Sequence, residues 1–381
     1  MSLSVKHSAS PLNIFTMMTN LARAHDAYNL SQGLPDYPVA AALGAYLTEA
    51  VEQGFNQYAP MQGLTSLREA IAIDLNKRYQ TKTVAADGVV VTPGATYGIY
   101  ASLTAIIDKG DEVIYFEPAF DCYRPAIEIT GGVPVRITLE ASADFRIDWN
   151  QVKDRITLKT KAILINTPHN PTGYVWAQFD WDQLADVIGD KDIYVIADEV
   201  YDHIVFDDRQ HLPGFLQPRL RHKLISIYSF GKAFHITGWK VGYCVAAPDI
   251  VAAFKSIHQY LTFSVNTPAQ HAIAQYLQHY DVAEAAATLQ HKRDLLIGGL
   301  QSSRFQPLTT SAGTYFQLYD YSAISDRDDV SFAKWMTAEH QVATIPLSAF
   351  YQSERSDKIV RLCFAKKDDV LLAAAAQLSK V

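Results

Sequence analysis

Between residues 88 and 245 one unit recurs: a short β-rich run, a longer stretch, then another short run. The runs fall at 88–92, 112–116, 133–137, 162–166, 193–197, 224–228 and 241–245. Several, such as Ala162-Ile-Leu-Ile-Asn166 and Ile193-Tyr-Val-Ile-Ala197, are continuously apolar. A strand with one wet face alternates apolar and polar residues, whereas a strand covered on both faces does not. Helical patterns, at 67–79 and 183–188 for example, accompany these runs. Apolar strands alternating with helices predict an α/β fold on a mostly parallel, seven-stranded sheet.

The flanks read differently. Gln32-Gly-Leu-Pro-Asp-Tyr-Pro38 carries turn signals that exclude a helix. A long helical pattern covers 281–300, short strands are expected at 315–318 and 358–362, and an alanine-rich helix closes the chain. A second, smaller α+β domain follows from that pattern, which leaves open where the N-terminal segment belongs. A chain of 381 residues has room for two such bodies.

Several function classes are disfavoured. With 49% hydrophobic and 19% charged residues, wholesale disorder is excluded. The formal charge is −7 and no Lys/Arg-rich run stands out, so no nucleic-acid partner is expected. Three scattered cysteines, Cys122, Cys244 and Cys363, form no CxxC and read as buried thiols in a reducing compartment. The opening MSLSVKHSASPLNIF has no apolar core of a signal peptide. The longest apolar run, near 370–376, is far short of the roughly 20 residues of a membrane helix, so no membrane partner and a cytoplasmic location are expected. No metal is expected either, because the histidines show neither HExxH nor Cys/His ligand spacing.

In an open α/β sheet, ligands gather beyond the carboxyl ends of the strands. The first strand runs into Thr92-Pro-Gly-Ala-Thr-Tyr-Gly98, a glycine turn opening a helix, where free N–H groups suit a phosphate. The fourth runs into Asn166-Thr-Pro-His-Asn-Pro-Thr-Gly173, which is either a polar turn or a place for the Asn170 amide to meet a ligand. The fifth ends at Asp198-Glu-Val-Tyr201, where a buried carboxylate needs a partner or serves as a helix cap. After the sixth, Ser229-Phe-Gly-Lys232 places a lysine by the cleft, where burial would lower its basicity. Arg361, inside the apolar Ile359-Val-Arg-Leu-Cys-Phe364, needs an anion, by the plain reading an internal salt bridge.

Glycine turn, Asn-Pro-Thr-Gly, Asp-x-x-Tyr, Ser-x-Gly-Lys and a late strand arginine, in that order, resemble the fold-type I, pyridoxal 5′-phosphate-dependent aminotransferases of class I/II. Ser229-Phe-Gly-Lys-Ala-Phe-His-Ile-Thr-Gly-Trp-Lys240 and Glu117-Pro-Ala-Phe-Asp-Cys-Tyr123 are most similar to the kynurenine and methionine branch. The resemblance implies that Lys232 forms the internal aldimine with the cofactor and shuttles the α-proton, and that Asp198 pairs with the ring nitrogen. It implies that Asn170 and Tyr201 bond the phenolic oxygen and that Phe120 stacks on the ring. The Ala95 and Thr96 backbone, Ser229 and Lys240 would bind the phosphate, and Tyr58 would reach the phosphate of a second subunit in an obligate homodimer. Arg361 would grip the substrate carboxylate, with Asn170, Gly33 and Leu34 at the substrate. Residues 1–40 would join 281–381 as the small domain against a large domain of 41–280.

Two departures bear on this. Lys240 stands where many relatives have Arg, keeping the charge without the fork. The stretch 258–267, where aspartate aminotransferases place an arginine for the side-chain carboxylate, holds neither Arg nor Lys. The expected activity is therefore transfer of an amino group from an apolar, sulfur-containing or aromatic L-amino acid to a 2-oxo acid. A β-lyase acting on cysteine conjugates or cystathionine would use the same lysine. A regulatory protein retaining the fold would carry a DNA-binding domain or lack the lysine, and Lys232 is present.

Overall fold

The computed structural model describes residues 13–353 and 355–381. All seven runs form one sheet: β1 (Val89–Thr92), β2 (Glu112–Glu117), β3 (Val133–Thr138), β4 (Thr160–Asn166), β5 (Tyr194–Asp198), β6 (Leu224–Ser229) and β7 (Gly242–Ala246). Their order is β1-β7-β6-β5-β4-β2-β3. Every pairing is parallel except those of β7, which runs antiparallel to both β1 and β6.

Successive strand residues point to opposite faces, and along the strands inside the edge strand β3 both faces are dry. Ile114, Ile163, Ile165, Val195 and Ala197 enter one core, with Trp181 and Leu184 of helix Gln178–Ile188. Val113, Ala162, Leu164 and Ile196 enter the other, with Ile99 and Leu103 of helix Ala95–Ile106 and Phe254 of helix Pro248–Leu261. That explains the unbroken apolar runs. Helix Ala95–Ile106 lies close on β6 and β7: a Cβ on Gly98 would stand 3.1 Å from Cys244 Sγ and 3.2 Å from Ile227 Cγ2.

A four-stranded antiparallel sheet follows, ordered Ile345–Pro346, Ile359–Cys363, Phe316–Asp320, Gln306–Pro307. Helices Val282–Gly299 and Asp368–Leu378 share its core through Leu289, Leu296, Leu371 and Leu378. The N-terminal segment is stitched to this region. Tyr28–Asn29 pairs in parallel with Val342–Ala343, and the Leu30 carbonyl accepts from Cys363 N at 2.9 Å. Lys366 Nζ donates to the Leu34 carbonyl at 2.6 Å. Among the described residues no helix is long and apolar enough to cross a membrane.

Candidate active site

Parallel strands deliver their carboxyl ends to one edge. Asn166 ends β4 opposite Asp198, which ends β5, while Thr92 and Ser229 both face Gly242 at the start of β7. A cleft opens there.

Gly94 turns β1 into helix Ala95–Ile106 at φ 86°, ψ 167°, a region essentially reserved for glycine. A Cβ there would stand 3.1 Å from Lys240 Nζ. The free N–H groups of Ala95 and Thr96 and the Lys240 ammonium thus converge on the cleft wall that Ser229 and Thr237 share. A helix N-terminus beside a cation is an anion site.

Lys232 lies not in an open turn but in a single helical turn, Phe230–Ala233, directly after β6. Its Nζ is 5.9 Å from the Tyr201 ring centre and 6.0 Å from that of Tyr315. Burial lowers it to about 8, against the opposing pull of Asp198 and with help from Arg361. Asp198 lies across the cleft, pushed up to about 6 by burial. It is no helix cap: its Oδ2 accepts from the Tyr123 hydroxyl at 2.6 Å and its Oδ1 from Val200 N at 3.3 Å, within a turn. Tyr201 meets Tyr315 edge-on at 5.3 Å, and burial raises its phenol.

Asn166 holds the turn after β4. Its Nδ2 donates to the Asp198 carbonyl at 2.8 Å and its Oδ1 accepts from Asn170 N at 2.8 Å. Asn170 Oδ1 in turn accepts from an Arg361 terminal nitrogen at 2.7 Å, and the other donates to the Ser31 carbonyl at 3.0 Å. Among the described residues the internal salt bridge of the plain reading is not found for Arg361. Arg361 is 2% exposed and lies 3.7, 4.8 and 5.7 Å from the rings of Phe316, Phe350 and Phe15. Among the described residues no carboxylate lies within 4 Å of its guanidinium, and its Nε has no acceptor.

The cleft therefore gathers Ala95, Thr96, Phe120, Asn170, Asp198, Tyr201, Ser229, Lys232 and Lys240, with Arg361 behind Asn170. Gly33 and Leu34 do not form its wall. Gly33 lies against Tyr315 and Phe316, its carbonyl accepting from the Tyr315 hydroxyl at 3.1 Å, and Leu34 is 49% exposed. Tyr58 stands outside, 81% exposed and edge-on to Phe263 at 5.4 Å. Cys122 is half-buried instead of buried. Sequence reasoning missed Asn166, Thr237 and Tyr123. Asn166 was visible as the last residue of an apolar strand, and Tyr123 sits in a motif read only as a resemblance.

Residues 25–378 match the family described as aminotransferase class I and II. The chain is 46% identical over 372 residues to the methionine aminotransferase of Escherichia coli, covering 97% of this chain and 95% of that one. It is 33% identical over 393 residues to human kynurenine–oxoglutarate transaminase 3, covering 95% and 86%. An Escherichia coli protein whose crystal structure and reactivity identified a methionine aminotransferase function superposes with a TM-score of 0.96 at 45% identity, both chains covered in full. N-succinyldiaminopimelate aminotransferase of Mycobacterium tuberculosis gives 0.94 at 32%, again over the whole of both chains.

Proposed function

The chain belongs to the class I and II aminotransferases, and we propose that its amino donor is an apolar, sulfur-containing or aromatic L-amino acid of the methionine, phenylalanine, tyrosine or kynurenine type, with a 2-oxo acid as acceptor. Enzymes of this family use pyridoxal 5′-phosphate, which when bound takes up the electron pair left behind by the α-proton.

The residues fit that group. The Ala95 and Thr96 N–H groups, Ser229 and Lys240 suit its phosphate, and the buried Asp198 carboxylate suits a protonated ring nitrogen. Asn170 and Tyr201 would bond its phenolic oxygen, Phe120 offers a ring face, and Lys232 is the amine for covalent attachment. An amine lowered to about 8 is unprotonated often enough near neutrality to take a proton at Nζ and return it. Asn170, fixed by Asn166, links this machinery to Arg361.

Arg361 carries the reading. A buried guanidinium without a carboxylate, its Nε open, suits the α-carboxylate common to every amino and 2-oxo acid. The side chain meets different surroundings. Tyr58 meets Phe263 edge-on at the surface, Tyr260 and Leu261 are exposed as well, and the stretch 258–267 holds neither lysine nor arginine. In a homodimer with shared active sites, this stretch and Tyr58 would face the second subunit's cleft, where a side-chain carboxylate would stay unpaired. Residues 13–40 would move with 281–381 against 41–280; residues 1–12 of the expected N-terminal segment lie outside the described ones. Three free thiols support a reducing, cytoplasmic setting.

The test is the visible spectrum of the purified protein before and after L-methionine, without any 2-oxo acid. The expected result is conversion of the cofactor band to that of the aminated cofactor. A band untouched by methionine, phenylalanine, tyrosine and kynurenine alike would overturn the substrate class.

A further inference from the structure

Tyr123 opens the short helix Tyr123–Ile129 and is 3% exposed. Its ring stands between two spaces. On one side is the cleft, which it lines. On the other is a narrow pocket with apolar walls from Phe116, Leu139, Phe145 and Leu164. The Asn166, His169 and Tyr174 side chains bordering that pocket are committed elsewhere. Asn166 serves Asp198 O and Asn170 N, His169 bonds Thr172 and the Pro118 carbonyl, and Tyr174 donates to Asp180. The Tyr123 hydroxyl donates to Asp198 Oδ2 at 2.6 Å. Among the described residues, beyond that bond the Asp198 carboxylate accepts only the longer one from Val200 N, at 3.3 Å.

We propose that Tyr123 is the positioning residue that keeps Asp198 ionised and aimed into the cleft; this rests on reading Asp198 as the partner of the cofactor's ring nitrogen. A carboxylate buried this deeply is drawn towards its neutral form, and donors to its charged form oppose that. Burial is the largest influence on Asp198, and the Tyr123 bond is the largest one against it. The other titratable groups facing Asp198 are Lys232 from the turn after β6, Cys122 from the preceding loop, and Glu199 and Tyr201 from its own turn. Lys232 is the single cation among them and is committed to the cofactor. Cys122 and Tyr201 are themselves raised by burial and stay neutral, and Glu199 is turned away onto His211, Ser226 and Tyr228.

Tyr123→Phe keeps the ring and both cavity walls and removes one hydroxyl. The affinity of the full chain for pyridoxal 5′-phosphate is titrated across the acid-to-neutral range, alongside the melting temperature of the cofactor-free protein. In the wild type, affinity falls as Asp198 takes a proton. Losing a bond to the charged form raises the Asp198 pKa, so in the variant the same fall begins about one to two pH units higher. On the alkaline plateau the two affinities converge. Placing 3-fluorotyrosine at 123, a stronger donor of nearly the same shape, moves the fall to lower pH and serves if the phenylalanine variant does not fold. A variant that binds more weakly at every pH without a shifted profile, or one that superposes on the wild type, overturns the proposal. Asp198→Asn separates the two readings: it binds weakly at all pH if Asp198 holds the ring nitrogen. Wild-type affinity in that variant would sink the assignment of Asp198 itself.

Discussion

Replacing Arg361 by lysine keeps a cation in the aromatic box and discards the fork. Two consequences can be worked from the structure. The guanidinium divides its bonds between Asn170 and the Ser31 carbonyl and has Nε to spare. A single ammonium cannot hold those contacts and also meet a carboxylate with two parallel N–H groups. Losing one charge-assisted bond of about 1.5–3 kcal/mol lowers kcat/KM by roughly 10- to 150-fold. Burial also lowers Arg361 itself to about 10, so it stays charged at neutral pH. A lysine amine starts lower, near 10.4, and the same burial lowers it towards neutrality. The variant must be protonated to bind a carboxylate, so its activity falls further as pH rises above neutrality, where the wild-type arginine does not change. The assay is kcat/KM for methionine, phenylalanine and kynurenine over a pH series, expressed as the ratio of variant to wild type so that shared titrations cancel. The loss is expected to be equal for all three donors and to deepen with pH. A loss confined to one amino acid, or a ratio independent of pH, would refute the reasoning.

Lys232→Ala is expected to abolish turnover while leaving the melting temperature and oligomeric state in place; turnover at the wild-type rate would remove the lysine from the mechanism. Gly94→Ala forces a side chain into a glycine-only conformation, at about 1–3 kcal/mol, and sets its Cβ against Lys240 Nζ. Cofactor affinity, followed by fluorescence titration, is expected to drop about 5- to 150-fold by that scale, and unchanged affinity would dismiss the phosphate cradle. Tyr58→Phe leaves a ring that is 81% exposed in the single chain, so cofactor-free stability should hold while cofactor affinity falls. Equal affinity in wild type and variant would show that Tyr58 does not reach a cofactor in a second subunit.

Legibility in the sequence followed physical logic. Six of the seven strands announced themselves because each is buried on both faces, the edge strand β3 being partly exposed, and the boundaries of all seven differ from the expected ones by only a residue or two at either end. Asp198, Asn170 and Lys232 were visible because each follows or ends an apolar strand, where polar side chains are expensive without a purpose. Arg361 was visible for the same reason, yet its partners were not. Nothing in Ile359-Val-Arg-Leu-Cys363 says that the guanidinium rests among Phe15, Phe316 and Phe350, residues drawn from three distant places. Tyr123 shows the limit most clearly. It lies 75 positions from Asp198, and only the packing of β2 and β4 beside β5 brings its hydroxyl to that carboxylate. The antiparallel direction of β7 was likewise hidden, because an apolar strand reads alike in either direction.

The stitching of Tyr28–Asn29 to Val342–Ala343, and of Ser31 to Arg361 across 330 positions, sets a timetable for synthesis. A ribosome releases β1 to β7 long before residue 361 emerges, so the sheet and its cradle can assemble on the nascent chain. The seat of Arg361 cannot, because the segment that steadies it is made first and its complement almost last. Until then the residues after Leu30 wait with unpaired backbone, and a chain stalled near residue 300 would carry Lys232 and its cleft without Arg361. Completion of the sheet and seating of Arg361 are thus separate events in the birth of each molecule.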